Sequence, residues 1–464
     1  MTTLAATAQS LPSPQAGWIL GHTFHLWRDP LDLFCRGMRC GPVTQFRFGP
    51  MSYLLINDVD GIHHVLIENP HNYIKGRSYE GLRHVLGNGL VTSEGDYWRH
   101  QRKIMAPTFH RESISAMADQ MVDETTERLA QWQAHPEQTL DIHHQMMTLT
   151  FQIVGKTLFS RDFSAVAEQV KEVITVALDH ATSYSRSALR LSPSIPTPAN
   201  LRFRKALKAL NQLVEKMIRE RIANRGAKDL LELLLSTDDD PSQINNPRIR
   251  DELITMIGAG HETTANALTW TWHLLANHPE IQERVFDEAT TVLSDRRPVI
   301  ADLQSLVYTS QVVQESMRLY PPVWIIERQA IEADQILGYP IAPGQNIAIC
   351  PFSLHRDPTY WEEPEQFDPD RFSAERSRNR PKHAFFPFST GPRVCIGNHF
   401  AMTEAVLITA MIARQFRVET VSPSPVELLA GTTLRPKRQI LLRIHRRDSS
   451  RDPILANISA RMVT

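Results

Sequence analysis

The chain has 464 residues, 42% of them hydrophobic and 22% charged, enough to bury a large core and still enclose a cofactor. Its 50 Lys and Arg nearly cancel its 51 Asp and Glu, so net charge gives no reason to expect a nucleic acid partner, although local basic patches stay open. Four cysteines, Cys35, Cys40, Cys350 and Cys395, form no C-x-x-C pair, which speaks against structural zinc. So few in so long a chain fit a reducing compartment, and the first three read as ordinary thiols.

In chain order, residues 1–16 are small, polar and proline-containing: a flexible lead without the basic start or apolar run of a targeting segment. No stretch reaches the roughly 20 apolar residues of a membrane span, so the expectation is a soluble, cytoplasmic protein. Two β-rich runs, Val43–Phe48 and Met51–Ile56, flank Gly49 and Pro50 and predict a hairpin. From Asp96 to about Leu293, apolar residues recur every three or four positions, the period of helices. Three prolines, Pro193, Pro196 and Pro198, require a loop ahead of an amphipathic helix over Leu201–Ile222. Asp251–Asn277 is apolar over most of its surface, which predicts a central buried helix. Strand signals return at Gly338–Ile349, with a tight turn at Pro343 and Gly344, and at Gln439–Ile444. Residues 446–464 read as a loosely attached tail. The organisation expected is one mainly α domain with small β-sheets over residues 17–445.

The most specific signal is Phe388, Gly391, Arg393, Cys395 and Gly397 in the spacing F-x-x-G-x-R-x-C-x-G. A thiolate can donate electron density to iron and favour O–O cleavage. Glycines at 391 and 397 are expected to let the backbone approach the sulfur, and Arg393 to pair with an anionic group. The residues from Asn398 to Glu404 read as a helix whose N-terminal end would face the sulfur and stabilise its charge. This loop resembles that of the cytochrome P450 superfamily at every fixed position, in its bacterial soluble type, and the likeness spans about residues 30–445. It implies haem b between the long central helix and the cysteine-loop helix, with Cys395 as the iron ligand and Phe388, Arg393 and Gly397 beside the haem.

Other motifs fall in the order the family has them. Glu315 and Arg318 match E-x-x-R, and Pro369, Arg371 and Phe372 match P-x-R-F. The resemblance implies a buried network of Glu315, Arg318 and Arg371 on the cysteine side of the haem. Trp98 and Arg102 match W-x-x-x-R, and Arg328 follows Pro321 and Pro322. All three are implied contacts of the haem propionates. On the buried helix, Ala259, Gly260, Glu262, Thr263 and Thr264 match A/G-G-x-D/E-T-T/S. A Thr263 hydroxyl can bond back to the Ala259 carbonyl, and Gly260 would let the helix bulge and admit dioxygen. The resemblance implies that Thr263 stabilises activated oxygen and Glu262 helps supply protons. His261, and the pairs His63–His64 and His143–His144, read as structural or satisfied histidines.

Walls of a substrate pocket are expected from Leu90 and Val91, the Tyr184–Pro198 region, Met256, Val323 and Trp324, and the turn at Gly431, Thr432 and Thr433. Most of these are apolar or small, which predicts a lipophilic substrate, with fatty acids and terpenoids the nearest resemblance. No G-x-G-x-x-G and no ferredoxin cysteine set is present. Electrons would therefore come from a separate ferredoxin or flavodoxin and its reductase. It would dock on a basic face made by Arg99, Arg102, Lys103 and the Arg376–Lys382 stretch. The reaction implied is hydroxylation or epoxidation by a monooxygenase. The alternatives are a haem-thiolate peroxygenase or rearranging enzyme, against which the intact Glu262 and Thr263 argue, and a non-catalytic haem sensor.

Overall fold

A 31-residue helix, Pro247–Asn277, organises the molecule. Asn246 caps it, its side chain accepting from the N–H groups of Arg248 and Ile249, and Pro247 supplies a pre-set first turn. Apolar or small residues surround it on nearly every side, and Leu253, Ile257, Leu268, Trp270, Trp272 and Leu275 are essentially inaccessible. Such a helix has to be covered all round. Ile142–Phe159 packs along it most extensively, and Asn398–Gln415 and Val307–Leu319 also lie against it. The structure is a computed structural model that describes residues 11–17, 20–134, 138–187, 190–240, 242–421 and 426–447.

The main sheet has five strands in the order Val43–Phe48, Met51–Ile56, Asn346–Ile349, Ile326–Ala330 and Tyr73–Lys75. The first two form the expected hairpin, turned at Gly49 with φ +59°. Met51–Ile56 then runs parallel to Asn346–Ile349, and the remaining pairs are antiparallel. A three-stranded sheet joins Thr139–Asp141, Leu441–Arg446 and Phe416–Thr420. Two short hairpins pair Asp334–Ile336 with Tyr339–Ile341, and Leu428–Ala430 with Leu434–Pro436. Gly344, at φ +77°, makes the turn expected beside Pro343. The predicted amphipathic helix spans Pro198–Ala223, with Pro198 at its first turn instead of in the preceding loop.

Three expectations need correction. The lead over residues 1–16 lies outside the described residues up to residue 10, and its described part is docked. Leu11 packs against the sheet cluster, and the Pro12 carbonyl accepts from the Gln45 N–H at 2.8 Å. The tail expected from residue 446 begins inside a strand: Arg446 ends Leu441–Arg446, and Arg447 forms a bidentate pair with Glu283 at 2.9 Å. Residues 448–464 lie outside the described residues. The bulge expected at Gly260 is absent, and the central helix runs unbroken through Ala259–Thr264. Thr263 and Thr264 add hydroxyl bonds to the Ala259 and Gly260 carbonyls at 2.8 and 3.3 Å without opening a turn. A Cβ on Gly260 would meet Val154 at 3.2 Å, so close packing with the neighbouring helix also sets this glycine.

Candidate active site

A cleft with about 1560 Å³ of empty space lies between the central helix and the cysteine loop. Cys395 opens into it. The thiol sits deep in the molecule, and its accessible surface faces this cleft. The loop that presents it is tightly specified. Gly391 adopts φ +72°, and a Cβ there would lie 2.0 Å from the Leu66 carbonyl oxygen, which no side chain can do. The Val394 N–H donates to Gly391 O at 3.1 Å, and the Cys395 N–H to Phe388 O at 2.9 Å. Gly397 differs from expectation: it sits in an ordinary conformation, with Phe109 at van der Waals distance from a would-be Cβ. What it gives the sulfur is a backbone N–H. Burial raises the Cys395 thiol above its usual range, while the Gly397 N–H and the Arg102 charge pull it down. Asn398–Gln415 then leads away as a helix whose N-terminal end lies beside the sulfur. The other three cysteines do not line the cleft. Burial pushes Cys35 up to about 12 and Cys350 up to about 11, so both stay protonated thiols.

Four cations line the same cleft: Lys75, Arg102, Arg328 and Arg393. Lys75 and Arg328 sit directly opposite each other across two antiparallel strands, an unfavourable pairing of like charges. Burial, then the charges of Arg328 and Arg393, push Lys75 well below its ordinary range. Burial likewise takes Arg393 down to about 10 against the pull of Glu94. The Arg393 guanidinium stacks 3.7 Å from the Trp98 ring, donates to Ser93 O at 2.9 Å and is paired with Glu94. One carboxylate, Glu94, beside four cations, of which Arg328 is buried and Lys75, Arg102 and Arg393 are half-buried, leaves a demand for anionic charge. An apolar cleft with a thiol on one wall and clustered cations on its rim fits an iron porphyrin carrying two propionates. Lys75, Arg102, Arg328 and Arg393 would hold the propionates, Trp98 would lie beside them and Cys395 would ligate the iron. Lys75 is the member that sequence reasoning missed. It sits in a three-residue strand, and only its register against Arg328 brings it to the rim.

Leu90, Val91, Met256, Ala259, Gly260, Thr263, Val323 and Phe388 also line the cleft. Trp324, Thr432 and Thr433 do not. Trp324 is buried in a separate core cluster, and its indole N–H donates to Gly431 O at 2.8 Å. Thr432 bonds to the Thr182 hydroxyl at 3.0 Å, and Thr433 donates to Glu262 Oε1 at 2.5 Å. The tip of the Leu428–Pro436 hairpin therefore grips the far side of the central helix and the Ala167–Arg186 helix. Of the Tyr184–Pro198 region, residues 188–189 lie outside the described residues, and the described part does not line the cleft. Glu262 is also absent from the wall. It is buried on the hairpin side, and burial raises its carboxyl above the ordinary range against the Thr433 bond and the Arg435 charge.

Behind the cysteine loop, the Glu315 carboxylate is fully buried. It accepts from Arg318 Nε at 2.6 Å and from the second Arg318 nitrogen at 2.8 Å. Arg371 Nε stands 3.4 Å from Glu315 Oε1, and the Asp368 N–H donates to that oxygen at 3.0 Å. Arg318 also donates to the carbonyls of His355, Pro364 and Gln366, so one cluster ties together segments far apart in the chain. The histidine pairs read as satisfied find partners: His63 and His64 share Glu68, and His64 also meets Asp334 at 2.9 Å. His261 Nδ1 donates to Ile257 O at 2.6 Å, and the ring faces the core.

The expected basic face is only partly built. Arg99 and Lys103 are exposed, but Arg102 turns inward to the cleft. In the second stretch, Arg376 is paired with Asp368, and Arg380 stacks 4.0 Å over Trp361 while donating to Arg371 O at 2.6 Å. Both are occupied in holding the fold.

Among the described residues, no helix is long and apolar enough to cross a membrane. The cytochrome P450 family profile matches residues 11–443. Cyclooctat-9-en-7-ol 5-monooxygenase of Streptomyces melanosporofaciens is 34% identical, covering 92% of this chain and 94% of the relative. Pentalenene oxygenase of Streptomyces avermitilis is 33% identical over 93% of this chain and 96% of its own length. The chloroplastic protein LUTEIN DEFICIENT 5 of Arabidopsis thaliana is 31% identical over 89% and 73%. With the cysteine loop, the cation-rimmed cleft and the mainly helical fold in place, the chain belongs to the cytochrome P450 family and is a haem b monooxygenase acting with dioxygen, a redox partner and a lipophilic substrate.

Proposed function

We propose that this enzyme hydroxylates or epoxidises a terpenoid-like hydrocarbon skeleton in the cytoplasm, with electrons from a separate ferredoxin or flavodoxin and its reductase. The observation that carries the reading is the wall of the cleft. Leu90, Val91, Met256, Ala259, Ala267 and Val323 offer an apolar surface. The polar side chains that join them on the lining are the rim cations and the hydroxyls of Tyr79, Thr263, Thr264 and Ser389, few beside the apolar groups. Two relatives named for terpenoid oxidation point the same way.

Haem held by Cys395 would supply the reductive activation of dioxygen, in which two electrons and two protons leave one oxygen atom in the product and one in water. The chain's own residues set the conditions. The Gly397 N–H and Arg102 stabilise negative charge on the Cys395 sulfur. Thr263 stands at the cleft with its hydroxyl proton directed to Ala259 O, which leaves its lone pairs free to accept from a donor in the cleft. Glu262, one residue earlier and buried, holds a proton at near-neutral pH more readily than an exposed carboxyl would.

The test is a substrate panel of terpene hydrocarbons, terpene alcohols and fatty acids. It is read by the shift in haem absorption on binding and by product formed with ferredoxin or flavodoxin. Terpenoids should shift the spectrum and yield singly oxygenated products. Turnover of fatty acids alone would overturn the substrate class, and turnover only with added hydrogen peroxide would point to a peroxygenase. Cys395→Ser should lose the thiolate-type absorption of reduced haem with carbon monoxide. If it keeps that band, another cysteine is the ligand.

A further inference from the structure

Glu262 is the end of a chain of buried polar groups that runs away from the cleft. Its Oε1 accepts from the Thr433 hydroxyl at 2.5 Å. The same Thr433 oxygen accepts from Asn266 Nδ2 at 3.2 Å, one helical turn beyond Glu262. Asn266 Oδ1 in turn meets His143 Nε2 at 3.2 Å, on the neighbouring helix. The directions follow from one another. An amide whose nitrogen donates to Thr433 presents its oxygen to His143, so His143 Nε2 carries the proton. Burial pushes His143 down to about 4, so the ring is neutral at physiological pH. Asn266 is completely inaccessible and Thr433 nearly so. A buried amide in a helix that is otherwise apolar or small is costly unless paired, and these two partners pair it.

We infer that His143, Asn266 and Thr433 are positioning residues for Glu262. They aim three hydrogen bonds in series at Oε1 and leave Oε2, which has no hydrogen-bond partner among the described residues, as the atom that takes up and gives away the proton. The inference rests on the reading of Glu262 as a proton carrier and says what holds it. Three elements converge here: Ile142–Phe159, Pro247–Asn277 and the Leu428–Pro436 hairpin. Other charges near Glu262 are Arg435, which favours its ionised form, and Asp179, which opposes it. Those near His143 are Asp141, Arg435 and Lys171. Since Thr433 donates to the carboxyl, removing its hydroxyl should raise the Glu262 pKa and move the catalytic pH profile upward.

Thr433→Val keeps the shape and deletes the hydroxyl, Thr433→Ser keeps the hydroxyl, and His143→Gln keeps a donor that His143→Phe lacks. The holoenzymes would be compared by the carboxyl infrared band assigned by subtraction of Glu262→Gln, and by the pH profile of coupled turnover. In Thr433→Val the band should move to higher frequency and the profile should shift alkaline, with coupling at neutral pH reduced about tenfold, the scale of one hydrogen bond. Thr433→Ser should restore all three readouts, and His143→Phe should show a smaller change than Thr433→Val that His143→Gln reverses. An unchanged Glu262 band in Thr433→Val overturns the inference whatever the turnover. If Glu262→Gln loses coupling while Thr433→Val matches wild type, the inference fails and the proton-carrier reading stands. If Glu262→Gln itself stays fully coupled, both fail.

Discussion

Two side chains on one helical turn are expected to fail differently. Thr263 touches the cleft and Glu262 does not. Thr263→Ala keeps helix propensity and removes only the hydroxyl, so reductant should be consumed near the wild-type rate while product per reductant falls about tenfold or more and hydrogen peroxide rises. Glu262→Gln limits proton supply, so turnover should slow more than coupling falls. Paired measurement of reductant, product and peroxide separates them, and a fully coupled Thr263→Ala would transfer the role to Thr264. A second carboxyl on the same helix affects the fold. Glu252 is fully buried and accepts from the Leu90 N–H at 2.9 Å, and burial raises it to about 7. Its folded value exceeds the unfolded one, so the native state binds the extra proton. Stability is intact below the unfolded value of 4.5 and falls as pH rises toward 7. Glu252→Gln should therefore gain stability over wild type with rising pH, by about 3 kcal/mol at pH 8. Urea unfolding at pH 5 and pH 8 checks it, and a gain equal at both values would refute the burial argument.

At the scale of elements, local pattern was legible and facing was not. The hairpin at Gly49, the central helix and the cysteine loop each announce themselves within a short window, because turn residues, apolar periodicity and fixed spacing are local properties. Lys75 and Thr433 are tertiary facts. Lys75 reaches the cleft by strand register, and Thr433 leaves it because a hairpin tip turned toward Glu262. Neither residue carries a motif. The two loop glycines make the same distinction testable. Gly391 is fixed by φ +72° and by the Leu66 carbonyl, whereas Gly397 meets only Phe109 at ordinary contact distance. Gly391→Ala should lower folding stability by about 2 kcal/mol or more, from a left-handed backbone and a clash that the loop must move to relieve. Gly397→Ala should leave folding stability near wild type. Thermal unfolding of the two variants decides it, and equal losses would mean the loop is held by something other than its turn.

At the scale of the whole molecule, electrons have to reach a cysteine that sits deep in the fold beside the N-terminal end of its own helix. Composition offered a basic face of seven or so cations, but the fold has spent several of them. Arg102 faces the cleft, Arg376 pairs with Asp368, and Arg380 lies flat on Trp361. What remains is Arg99 and Lys103 on the Gly95–Met105 helix, and the exposed Arg378 and Lys382 of the second stretch. The inner residues of that helix, Trp98 and Arg102, line the cleft, and its outer residues include Arg99 and Lys103. Arg99 is paired with the exposed Asp96, which mutes its field. Lys103 has no such pair among the described residues. An acidic carrier steered to this helix should therefore feel Lys103 more than Arg99. Reduction by a ferredoxin or flavodoxin should slow as salt rises, because the screening length is only about 10 Å at 0.1 M. Lys103→Glu should slow first-electron transfer at low salt by about tenfold or more and flatten the salt dependence. Arg99→Glu should do so less, and neither should alter substrate affinity. Stopped-flow reduction across a salt series, with the binding spectrum as control, gives the comparison. Salt-independent reduction by every acidic carrier tried would mean that the carrier docks elsewhere on the molecule.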